Sequence, residues 1–205
     1  MTLAVVRHGQ SLTNAEVHKD TNHQLGDINN VLTKEGVIGA IGAGMQLQSY
    51  FGENVNHIIT SHLTRAKQTA FTIASMIGTG VPIIIDDEFE EIRWCSDRQY
   101  RDFDEYEGIN DKKLYNDLHF RPLEDSENQM ELFSRICAAL IDHEGRFMDG
   151  NNILVTHYMV VRALMSLKET GGPTDMSRFR PENTKPYYFK PSDIEDMIRM
   201  ARIYV

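Results

Sequence analysis

The sequence predicts an α/β sandwich, and three observations carry that expectation. Short apolar runs recur along the 205 residues, several of them followed by stretches with helical spacing of apolar positions. A hydrophobic share of 41% over this length suits one globular domain with a sizeable core. Histidine, arginine and paired carboxylates stand where the runs end, and the C-terminal ends of strands are where α/β proteins build their sites.

The first element is Leu3-Ala4-Val5-Val6, a short run that reads as a buried strand and leads into Arg7-His8-Gly9. The glycine lets the chain turn sharply, so that backbone N–H groups can face a ligand. Arginine offers a planar fork of donors suited to phosphate oxygens, while histidine can be a base, a metal ligand or a nucleophile. The ligand implied is an anion. The second run, Val55 to Ile59, is broken by polar Asn56 and His57 and precedes Thr60-Ser61-His62-Leu63-Thr64-Arg65. Ser61 reads as the N-cap of a helix with Ala66, Ala70, Ile73 and Ile77 on one face. Arg65 then falls in the first turn, a poor place for helix stability and a good one for holding an anion.

Val81 to Ile85 reads as a further strand, followed by Phe89-Glu90-Glu91-Ile92-Arg93-Trp94. Such carboxylates ordinarily solvate a loop, but beside an anion site one of them can hold a proton for a leaving group. Next comes an acidic, aromatic stretch, Asp97 to Glu124, with Tyr100, Phe103, Tyr106, Tyr115, His119 and Arg121. Ser126-Glu127-Asn128-Gln129 reads as a capping box opening a helix whose Leu132, Ile136, Leu140, His143 and Phe147 share a face. The apolar strand Asn152 to Thr156 ends in His157, and Val160, Val161, Leu164 and Met165 continue it as a helix face. In the tail, Tyr187-Tyr188-Phe189 is an edge-strand candidate bounded by Pro186 and Pro191, and Ser192-Asp193-Ile194-Glu195 opens a last amphipathic helix. Arg178 and Arg180, in the preceding loop, read as solvated charges within possible reach of a phosphorylated substrate.

The formal net charge of −9 argues against nucleic-acid and anionic-membrane partners, because binding to phosphate backbones relies on clustered Lys and Arg. It also makes localised arginines more telling. Cys95 and Cys137 are too few and too far apart for a disulfide scaffold or a zinc ligand set, so a reduced, cytoplasmic setting is expected. With no charged leader and no long apolar segment, neither a signal peptide nor a membrane span is expected.

Several motifs together carry a resemblance: Arg7-His8-Gly9-Gln10-Ser11 with Asn14, Leu32-Thr33 with Gly36, Ser61 with Arg65-Ala66 and Gln68-Thr69, then Glu91, then Val155-Thr156-His157 with Arg162-Ala163-Leu164. In this order they resemble the histidine phosphatase superfamily, the phosphoglycerate-mutase-like proteins. The resemblance implies a three-layer α/β/α sandwich with a mostly parallel central sheet, a single domain over residues 1–205, and 97–124 as a cap over the pocket. It implies that His8 takes the phosphoryl group as a phosphohistidine, surrounded by Arg7, Arg65 and His157, with Asn14, Gly9 and Ser11 on the substrate side; Tyr158, at a helix N-terminus, can narrow the pocket there or donate its own hydroxyl to the substrate. Glu91 would protonate the departing oxygen and then activate water; Glu90 is its rival, disfavoured because the family's acid sits two residues after an apolar position, here Phe89. The activity implied is hydrolysis of a small phosphomonoester without cofactor or metal ion. The alternatives are a phosphoglycerate-type mutase and a noncatalytic module that binds a phospho-ligand.

Four positions depart from the family's pattern. Tyr158 replaces the glycine many members carry after the last histidine, and the glycine usual after the acid is missing from Ile92-Arg93-Trp94-Cys95. His62 stands in place of a proline and could face the pocket, and Gly39 stands where a glutamine is frequent.

Overall fold

Alternation along the first strand sets the layers. In the computed structural model, which describes residues 1–15, 29–78, 80–94, 113, 117–174 and 176–205, β1 (Thr2–Arg7) turns Leu3 and Val5 into one apolar cluster and Ala4 and Val6 into another. A strand covered on both faces must be apolar at successive positions, which is why Leu3 to Val6 shows no polar alternation. Beside β1 lie β2 (His57–Thr60), β3 (Ile83–Ile85), β4 (Asn151–Thr156) and β5 (Pro186–Phe189), in the spatial order β3-β2-β4-β1-β5. The first four are mutually parallel, and β5 closes the edge antiparallel to β1.

On the face of Ala4 and Val6 pack α1 (Lys34–Phe51) and α2 (Thr64–Ile77), through Ala43, Leu47, Ala66, Ala70 and Ile73. On the face of Leu3 and Val5 pack α3 (Gln129–Asp142), the single turn α4 (Glu144–Phe147), α5 (Tyr158–Thr170) and α6 (Pro191–Ala201). The result is the expected α/β/α sandwich with a mostly parallel sheet. Burying one Leu, Ile or Phe side chain contributes about 1.5–3 kcal/mol, so the two clusters hold the layers together. Among the described residues no helix is long and apolar enough to cross a membrane.

Several boundaries move from the sequence expectation. The N-cap of α3 is Asn128, whose side chain accepts from the Glu131 N–H while Glu131 reaches back to the Asn128 N–H; Ser126 instead accepts from the Leu123 N–H and donates to the Leu123 carbonyl. The capping box is thus Asn128 to Glu131, two residues beyond the expected one. His143 and Phe147 lie past the end of α3, with His143 Nε2 donating to Asp86 Oδ2 at 2.6 Å. The last helix starts one residue earlier than expected, with Pro191 in its first turn and Asp193 accepting from the Lys190 N–H. The Tyr187–Phe189 edge strand is present, with Pro186 at its first residue, where a missing N–H costs least. Of the expected cap 97–124, only Lys113 and 117–124 fall within the described residues; Tyr100, Phe103, Tyr106, Tyr115 and Cys95 lie outside them.

Two glycines carry the approach of α1 to the end of β1. A Cβ on Gly9 would collide with the Gly36 carbonyl oxygen, and one on Gly36 with the Gln10 carbonyl oxygen. Gly39 has a local explanation too, since a Cβ there would come 2.7 Å from Thr184 Oγ1.

Candidate active site

The sheet order brings three chain segments together. β4 lies between β2 and β1, with Arg7 level with Thr156 and Thr60 level with Val155. The residues after these strands, Ser61, His157 and His8, therefore emerge side by side at the carboxyl edge, the usual place for a ligand in an open α/β sheet. The rings of His8 and His157 stand 5.0 Å apart between centroids.

His8 is almost fully buried, and its Nδ1 lies 2.7 Å from the carbonyl oxygen of Gly9. A carbonyl only accepts, so Nδ1 carries the proton and Nε2 keeps its lone pair. The neutral ring is favoured by burial, with the nearby charges of Arg65 and Arg7 adding to the effect; together they hold its pKa well below the ordinary 6.5. His157 is fully buried and displaced in the same direction, by burial first and then by Arg65, His8, Arg7 and His62. Its Nε2 is 2.6 Å from Ser61 Oγ, and its Nδ1 has no partner among the described residues. Ser61 is thus a ring partner for His157 and not the expected helix cap; α2 begins at Thr64, with Leu63 as its cap residue.

The depressed pKa values have a consequence for stability. Both histidines bind fewer protons folded than unfolded, so stability is complete above the unfolded value of 6.5 and is lost as the pH falls below it toward the folded values. Each contributes a slope of up to about 1.4 kcal/mol per pH unit in that window. Denaturant titrations between pH 7 and 5 are expected to give a shallower loss for His8→Gln than for the parent chain; identical slopes would contradict the burial of a neutral His8.

Arg65 sits buried in the first turn of α2, as the spacing predicted. Arg7 donates to the Pro181 carbonyl at 3.1 Å, and its guanidinium carbon lies 4.8 Å from the centre of the Tyr158 ring. Tyr158 is half-buried at the start of α5, with Arg162 on the same ring at 5.3 Å and Arg180 donating to its hydroxyl at 3.5 Å. Arg178, by contrast, is exposed and paired with Glu169.

The two adjacent carboxylates part company. Glu91 accepts from the Ile92 N–H at 3.0 Å and from the Met159 N–H at 3.1 Å, placing it at the N-terminus of α5, two residues beyond His157. Glu90 is buried and accepts from Arg93 Nε at 2.6 Å, with His62 Nε2 at 3.7 Å from its other oxygen. His62 also meets Asp87 at 3.0 Å, so it is engaged with the turn before Glu90.

Two expected ligand-facing groups, Gly9 and Ser11, are placed differently. The Gly9 N–H donates to Thr69 Oγ1 at 3.0 Å, so it does not face a ligand, and glycine is needed there for its contact with Gly36. Ser11 is buried, donating to Asn14 Oδ1 at 3.1 Å and accepting from Asn30 Nδ2 at 3.2 Å. Asn14 is exposed beside it, its carbonyl used by Ser11, which leaves the amide NH₂ as the donor end of the side chain. The role of Thr156 escaped the sequence analysis: its hydroxyl donates to the Phe89 carbonyl at 2.7 Å and ties the Glu90-Glu91 segment to the end of β4. The available signal was a polar residue closing an otherwise apolar strand.

Comparisons with known proteins agree with this fold. A curated relative from Salmonella arizonae, named probable phosphoglycerate mutase GpmB, is 29% identical over 164 residues, covering 79% of this chain and 72% of its own length. Among solved structures, the α-ribazole phosphatase from Shigella flexneri superposes with a TM-score of 0.72 at 20% identity, over 93% of this chain and 90% of its own. A mycobacterial glucosyl-3-phosphoglycerate phosphatase does so with a TM-score of 0.71 at 19% identity, over 92% of this chain and 90% of its own. The model of the histidine phosphatase superfamily, branch 1, matches residues 3–198, and the chain belongs to that family.

Proposed function

We propose that the protein is a phosphatase that hydrolyses a small phosphomonoester through a phosphohistidine at His8. The observation that carries this reading is the polarity of the His8 ring: with Nδ1–H held by the Gly9 carbonyl, a lone pair on Nε2 is available in a neutral, buried imidazole between two arginines. Phosphoryl transfer asks little covalent work of a protein beyond an aligned nucleophile and positive charge around the equatorial oxygens.

In the first step Nε2 of His8 bonds to phosphorus as the ester P–O bond breaks, and Glu91 gives its proton to the departing oxygen. In the second, the Glu91 carboxylate takes a proton from water while the water oxygen bonds to phosphorus and the P–N bond breaks, returning neutral His8 and free phosphate. Arg65 and Arg7 supply the charge. Ser61 stands beside His157: its oxygen accepts the Leu63 N–H at 3.4 Å and its hydroxyl meets His157 Nε2 at 2.6 Å; with Ser61 as the donor of that bond, His157 Nδ1–H is left to donate to a phosphoryl oxygen.

A mutase shares the first half-reaction and differs only in the acceptor, since it returns the phosphoryl group to another hydroxyl. The name of the 29%-identical relative keeps that reading in play. Purified protein assayed with chelator present against a panel of phosphomonoesters is expected to release phosphate stoichiometrically with loss of ester. Transfer to an added phosphoglycerate in place of release would favour the mutase, and inertness on the whole panel would favour a binding module.

A further inference from the structure

We propose that the buried Arg135–Glu127 pair is a positioning device for the acid: it clasps the irregular segment 88–93 and so sets where the Glu91 carboxylate points. The inference rests on the assignment of Glu91 as the leaving-group acid.

Beyond Phe89 this segment is neither helix nor strand, so its carbonyls need partners from elsewhere. One guanidinium supplies several of them. Arg135, two turns into α3 and buried, donates through Nη1 to the carbonyls of Glu88 at 2.5 Å and Glu90 at 3.2 Å, and through Nη2 to that of Glu91 at 3.4 Å. Its remaining donors meet the Glu127 carboxylate in a two-pronged pair, Nε to Oε1 at 2.8 Å and Nη2 to Oε2 at 2.7 Å. Glu127 completes the clasp with its own backbone: its N–H donates to the Arg93 carbonyl at 2.7 Å, and its Oε2 accepts the Arg93 N–H at 3.0 Å.

From the opposite side Thr156 holds the Phe89 carbonyl and the Met159 N–H holds the Glu91 carboxylate. The segment is therefore stretched between α3 and the strand end that carries His157. A helix on the far side of the acid thus helps to fix it. Lysine cannot replace arginine in this role, because an ammonium carries the charge without the planar fork that reaches carboxylate and carbonyls together. A misplacement on the order of 1 Å can cost a reaction roughly 10²-fold, so a loosened acid is expected to be felt in the chemistry.

The test uses Arg135→Lys, which keeps a charge opposite Glu127, and the double variant Arg135→Met/Glu127→Met, which removes both charges and keeps the volume. Each is assayed on an alkyl phosphate, which needs a proton on its leaving group, and on an aryl phosphate, which does not. The expected result is a kcat loss of roughly 10- to 100-fold on the alkyl ester, a far smaller loss on the aryl ester, and little change in KM on either. In a Glu91→Gln background, Arg135→Lys is expected to leave the alkyl-to-aryl ratio where Glu91→Gln alone puts it. Equal losses on both esters, a fall in melting temperature with an unchanged ratio in both variants, or a further drop in ratio in the Glu91→Gln background would overturn the proposal. Glu91→Gln run alongside separates the two ideas: no selectivity there defeats the acid assignment, whereas selectivity there but not in Arg135→Lys defeats the clasp alone.

Discussion

Replacing His8 with alanine is expected to abolish turnover together with the covalent intermediate. Mixing the parent protein with a ³²P-labelled substrate and quenching in alkali should trap a base-stable, acid-labile adduct on His8, the behaviour of a P–N bond. The deletion of a covalent nucleophile costs on the order of 10⁴- to 10⁶-fold in rate, far outside what misfolding of a fraction of the sample would mimic. His8→Gln serves as the fold control, because a side chain of similar reach keeps the space beside Gly9 and His157 filled. Both variants are expected to retain phosphate affinity through Arg7 and Arg65 while forming no adduct. A labelled adduct of normal amplitude in His8→Gln would move the nucleophile elsewhere, with His157 the first residue to examine.

The strand ends were legible in the sequence for a physical reason. A parallel strand buried on both faces is a run of apolar residues, and it stops where polar groups take over, so Arg7-His8 and His157 marked their own positions. That these ends lie side by side follows from the strand order, which no single run discloses; the resemblance supplied it. Local capping was less legible, because Ser61 and Ser126 each offered a plausible cap oxygen and Ser192 a plausible helix start. Ser61 turned out to serve His157, Ser126 to serve Leu123, and the role expected of Ser192 fell to the Pro191 turn with Asp193. Each choice depends on which partner the fold brings within reach. The Arg135–Glu127 clasp was hidden for the same reason: eight residues apart, an acid just before a helix and an arginine within it read as solvated charge until the packing buries both. Gly9 was chosen for the right residue and the wrong cause, since the constraint is its contact with Gly36 across the chain.

The acid assignment predicts a selectivity between substrates. If Glu91 protonates the departing oxygen, Glu91→Gln is expected to slow an alkyl phosphate by about 10²- to 10⁴-fold, the usual contribution of general acid catalysis, and an aryl phosphate far less. Phosphorylation of His8 by the aryl ester should survive in this variant, while hydrolysis of the phosphohistidine slows, since the same carboxylate activates the water. The adduct should therefore accumulate, which makes the prediction visible in the alkaline quench as well as in steady-state rates. Glu90→Gln is expected to behave differently. Glu90 accepts from Arg93 Nε at 2.6 Å and faces His62, whereas Glu91 reaches the N-terminus of α5 beside His157, so the neighbours project to different sides. Removing the Glu90 charge leaves Arg93 and His62 short of a partner and should lower stability with similar losses on both esters. A selective loss on the alkyl ester in Glu90→Gln, or equal losses on both esters in Glu91→Gln with no accumulated adduct, would defeat the assignment of Glu91.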